Sequence, residues 1–173
     1  TLGTAFAEIR KLTLQAGVKK IKGTVTISAA EIQSMIDNAS DWAGLTTSNN
    51  SIDWVLDDAV NVAQAAALAD KTNTTTNNGS ITWHSINDQM SLLTTGTGTD
   101  VAISSNLNKA LTKDSAVPIT VAVNPLSSAD HVRGLNVIRA AQNTSTSTDT
   151  LSATLSTTAN HASLLSGITN QPI

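Results

Sequence analysis

The chain has 173 residues, a net charge of −3 and no cysteine. That length suits one compact domain or one short repeat array; the charge is too weak for capture of nucleic acid or acidic lipid, and neither a disulfide framework nor a thiolate metal site is open to it. Hydrophobic residues make up 40% but aromatics only 2%, so Ala, Val, Leu and Ile must fill the core, which fits a thin stacked layer better than a globular enzyme.

Phe6, Ile9, Leu12 and Ala16 step by three and four, which predicts a short amphipathic helix over 4–16 with Gly17 as its stop. Thr24 to Ile27 reads as a β-branched strand. Ser28 and Glu31 then form a capping box, and the helix they open carries Ile32, Met35 and Ile36 on one face and ends at Asn38. Ser51 to Leu56 is a second strand, and Asp57 or Asp58 is expected to cap the helix that follows to about Lys71. Its stripe is Ala59, Val62, Ala65 and Leu68.

Thr74 to Asn78 is a polar loop, Ser80 to Trp83 a third strand, and Asp88 to Leu93 one helical turn. After the Gly/Thr run from Thr94 to Thr99 come a strand at Val101 to Ile103 and a short helix at Leu107 to Leu111. A fifth strand runs from Ile119 to Val123, broken by Asn124 and Pro125. Ser127 or Ser128 caps a helix to about Gln142. Thr144 to Thr148 is a second polar loop, Leu151 to Leu155 a sixth strand, and His161 to Leu165 a last turn.

The chain repeats itself. Ala59, Val62, Ala65, Leu68 and Asn73 fall opposite Ala129, Val132, Leu135, Ile138 and Asn143, a shift of about 70 positions that marks repeat architecture. Ser91, Leu92 and Leu93 fall opposite Ser163, Leu164 and Leu165 after a small insertion. The expected organisation is a single domain over 1–173 with related units at about 51–96 and 118–168. The expected fold is α/β, a solenoid-like stack of short parallel strands and short helices. The alternative is a compact α+β domain with an internal duplication.

The segments VTISAAEIQ, AVNVAQAAALADKTN and ITVAVNPLSSADHVRGLNVIRAAQN resemble the Thr/Ala/Asn-rich repeats of very large bacterial extracellular proteins. These are surface-layer proteins, adhesins and type I-secreted repeat proteins. The resemblance covers Thr24 to Ile168 and rests on composition and rhythm. It implies a secreted or cell-surface location and a scaffolding or adhesive role. The glycine-rich calcium nonapeptides common in such proteins are absent, and Thr97 to Asp100 is only a faint echo of one.

Asp53, Asp57 and Asp58 are the candidate calcium ligands, although helix capping explains the last two without metal. His84, His131 and His161 lack metal-ligand spacing, and neither a GxSxG elbow nor a phosphate-binding glycine loop occurs. Trp54 and Trp83 sit in strands two residues after Ile52 and Ile81, which places them in a shared core layer. Trp42 is the candidate ligand residue, able to stack on a sugar ring. Asn38, Asn49, Asn73, Asn78 and Asn143 each begin an N-x-S/T triplet, which in a chain this rich in Asn and Thr reads as solvated loop. The start at Thr1, without Met, suits a segment of something longer. No apolar run is long enough to span a membrane.

The expected function is a non-enzymatic structural module, extracellular and without a cofactor, that packs against copies of itself or flanking repeats into a sheet or filament. The alternative is an adhesin module binding cell-surface glycan through Trp42.

Overall fold

The computed structural model describes residues 22–40, 51–72, 79–126, 128–142 and 150–155. The expected helix over 4–16, Trp42, the two polar loops and the turn at His161 to Leu165 lie outside them, as do Asn49, Asn73, Asn78 and Asn143.

The described residues form an α/β arrangement of parallel sheets and five α-helices. The strands are β1 (Lys22–Ile27), β2 (Ser51–Leu56), β3 (Ala59–Val60), β4 (Ile81–Thr82), β5 (Ser85–Asp88), β6 (Thr94–Thr95), β7 (Ala102–Ile103), β8 (Ile119–Leu126) and β9 (Leu151–Leu155). The helices are α1 (Ala29–Asp37), α2 (Val62–Lys71), α3 (Met90–Leu93), α4 (Ser105–Lys113) and α5 (Ala129–Ala141). One sheet has the order β1-β2-β4 and a second β3-β5-β8-β9, both parallel, so spatial order follows chain order in each. Within these two sheets paired strands lie roughly thirty residues apart in the chain, whereas β6 and β7 pair antiparallel as a separate two-stranded sheet.

Alternation along the strands puts the aliphatic rows inside. Val25, Trp54 and Ile81 stand side by side in the first sheet, and Val60, Ile86, Ile119 and Leu151 in the second. Ile86 and Ile119 are fully buried, Trp54 nearly so. Outward positions are mostly polar: Thr24 is paired with Asp53, and Asn87, Thr120 and Ser152 form a row in which the Ser152 hydroxyl donates to Thr120 Oγ1 at 3.0 Å. Trp54 and Trp83 are both buried core residues.

The helices pack over the core through small and aliphatic residues. α2 buries Val62, Ala65, Ala66, Leu68 and Ala69 and lies between α1 and α4. The Ser28–Glu31 capping box forms with both of its hydrogen bonds. In α1 only Ile32 and Met35 are buried; Ile36 is 40% exposed because it has turned past the core-facing edge. α5 packs on β7, α3 and the 3₁₀ turn Gly98–Asp100.

Several sequence expectations change. Asp57 and Asp58 do not cap α2; Asn61 does, in a box with Gln64, because Ala59–Val60 is a strand and the helix starts later. Ala59 and Ala129 therefore lie in different kinds of element. The strand at Ser80 to Trp83 shortens to β4, and Ser85–Asp88 forms an unexpected strand that buries Ile86. Pro125 does not end β8: pairing shifts register between Val121 and Leu126 and resumes against Leu155, and such an irregularity is where a sheet tolerates proline.

Candidate functional site

Two of the three acidic residues singled out in the sequence, Asp53 and Asp58, bond to segments distant in the chain. Asp58 follows β2, where its Oδ1 accepts the backbone N–H of Ala29, the first residue of α1, at 2.7 Å. One passage later Asp88, at the end of β5, offers its Oδ2 to the N–H of Val62, the first residue of α2, at 3.0 Å. A carboxylate suits that place because the leading N–H groups of a helix lack intrahelical partners and carry the positive end of its dipole. Gln64 adds to the first junction, with its Nε2 donating to Ala29 O at 3.2 Å and to Gln33 Oε1 at 3.4 Å. Each helix keeps its own local cap, so these bonds come in addition.

Asp53 serves a different partner. On the outer side of β2, its Oδ1 accepts both the backbone N–H and the hydroxyl of Ser80 at 2.8 Å. Those two donors, the backbone one first, hold its carboxyl below the ordinary Asp value. Asp57 is exposed. Asp53 and Asp58 are thus directed to separate donors, and among the described residues no three His, Cys, Asp or Glu side chains gather as a metal group would need.

His84 is exposed with its Nδ1 3.2 Å from Ser85 Oγ. His131 lies in the first turn of α5, its backbone N–H donating to Ser128 Oγ at 3.2 Å. Asp130, overlooked in the sequence, accepts from Gly98 N at 3.0 Å and from Arg133 at 2.7 Å, and so fastens the 3₁₀ turn to α5.

A shallow, open hollow of about 310 Å³ lies between α2 and α4. Its polar wall is already paired: Lys109 with Asp70 at 2.7 Å, Lys113 with the Thr72 carbonyl at 3.1 Å, and Thr112 with the Asn108 carbonyl at 2.7 Å. Burial pushes the Lys113 ammonium below the ordinary Lys value, partly offset by the Asp70 charge. These groups close the end of α2 and join it to α4, and they present no nucleophile with an adjacent base.

Asp88, Gln64 and Asp130 escaped the sequence reading. The signal for Asp88 was its spacing from Asp58, close to one passage, but that spacing has meaning only once the strand register is known. No protein-family model, curated protein or solved structure matches this chain.

Proposed function

We propose that this chain is a non-enzymatic structural module, a solenoid-like segment of a bacterial secreted or cell-surface repeat protein that works by packing against like units. The observation that carries the reading is the repeated backward bond. Asp58 and Asp88 each reach to the helix of the preceding passage, within sheets whose strand order follows the chain. Such a device joins one passage to the next and can be extended without a new kind of contact. The location rests on the compositional resemblance to Thr/Ala/Asn-rich repeats of extracellular proteins.

The terminal strands of a parallel stack carry backbone groups that a further strand can pair. Copies of the chain, or flanking repeats in one longer chain, are the partners that fit this logic. The test compares the single chain with a tandem fusion of two copies, using calorimetry, light scattering and electron microscopy. The expected outcome is a higher melting temperature for the fusion and concentration-dependent filaments or sheets for the single chain. Equal melting temperatures, with a monomer at every concentration, would overturn the reading.

A further inference from the structure

Of the N-x-S/T triplets in the chain, Asn38-Ala39-Ser40 is the one that falls within the described residues. It does not stand in an Asn/Thr-rich loop. Asn38 is the C-cap of α1, and its backbone has already left the helix, with φ −124° and ψ 55°. Residues 38–40 form a turn, and all three are exposed. The middle residue is alanine, so the proline that would bar such a triplet from modification is absent.

The amide of Asn38 is free to change without loss to the fold. Its Nδ2 donates to the Ser34 carbonyl at 3.2 Å. That carbonyl also receives the backbone N–H of Asn38 at 2.9 Å. The last carbonyls of a helix need a partner from beyond it, and here the backbone supplies one. A primary amide carries two N–H groups. A sugar on one of them leaves the other able to donate to Ser34, so the end of α1 keeps both bonds.

We propose that Asn38 is an acceptor for an N-linked glycan. The donor chemistry is a sugar activated by a diphosphate at its anomeric carbon, carried by a lipid or by a nucleoside. The bond from Nδ2 to that carbon forms as the bond from the carbon to the diphosphate oxygen breaks. The diphosphate leaves with the electron pair, and the amide proton passes to a base of the transferase. Ser40 supplies the hydroxyl by which such a triplet is recognised. A glycan at this helix end places hydrated bulk in solvent. Its transfer depends on the triplet and the turn, not on packing between units, so the two proposals fail separately.

The test has two arms. In one, the purified folded chain is incubated with UDP-glucose and a soluble N-glycosyltransferase. In the other, the full chain is translated behind a signal peptide into microsomes, which hold the lipid-linked oligosaccharide. Fragment-ion mass spectrometry locates the sugar. The expected result is a glycan on Asn38 in at least one arm, and the arm identifies the donor. Asn38→Gln and Ser40→Ala should each lose it, and Ser40→Thr should keep it. The unmodified Asn38→Gln chain should melt at the wild-type temperature, because the backbone bond to Ser34 remains. Asn38 bare in both arms, or a sugar there that survives Ser40→Ala, would overturn the proposal.

Discussion

At the scale of single residues, the carboxylates that reach back one passage are the most informative groups. Asp58→Ala leaves the Ser28–Glu31 box of α1 intact and removes only the bond from the next passage. It should lower stability by about 1 kcal/mol, read as a reduced urea midpoint at unchanged slope. Lys109→Ala cuts an ion pair whose side chains are 48% and 55% exposed, and should change the midpoint by about 0.5 kcal/mol or less. Asp53 gives the pH dependence. Its folded-state pKa is depressed by Ser80, so its contribution is complete above the ordinary carboxylate value and fades as pH falls through the depressed one. Wild-type stability should therefore fall in acid below about pH 4, and Asp53→Asn should flatten that part of the curve. A wild-type and variant pair with parallel acid limbs would contradict this.

At the scale of elements, two glycines mark close approaches of unequal severity. A Cβ at Gly79 would meet the backbone carbonyl of Ile52, where β2 and the lead-in to β4 run together. At Gly134 the nearest atom would be Met90 Sδ at 2.6 Å, part of a flexible side chain able to move aside. Gly79→Ala should thus lose at least about 3 kcal/mol or fail to fold, and Gly134→Ala should lose about 1–2 kcal/mol, both by thermal melts.

The strands β1, β2 and β9 and the cap of α1 were legible because each is specified locally: β-branched runs, or Ser28 with Glu31 three residues on. The short strands β3 and β5 were not, since their pairing is set by distant partners and leaves no local pattern; β6 pairs with nearby β7, but two threonines in a Gly/Thr run read as turn. Asp58 does not cap the helix that follows it; its carboxylate accepts the first N–H of the helix before it, which Ser28 caps. No periodicity within one segment can tell those apart. The burial of Trp54 and Trp83 was legible from Ile52 and Ile81 two positions earlier. The backward bonds were not, because they require the register.

At the scale of the whole molecule, both parallel sheets are built in chain order, and no strand is inserted between earlier neighbours. Buried residues form one continuous core from Ile27 in β1 to Ile138 in α5; in the proposed stack, cohesion would pass along it from neighbour to neighbour. Leu68→Ala, at a fully buried position in the middle of α2, should cost about 2–5 kcal/mol and broaden the thermal transition. A sharp transition that only shifts would indicate a single cooperative block. Chain-order pairing also has a mechanical consequence. If the chain is the stacked array proposed above, pulling it from its two ends should unreel one turn at a time, each release giving on the order of 100 Å of slack while the remainder stays wound. A tether of this kind lengthens in steps under load and can rewind when the tension drops.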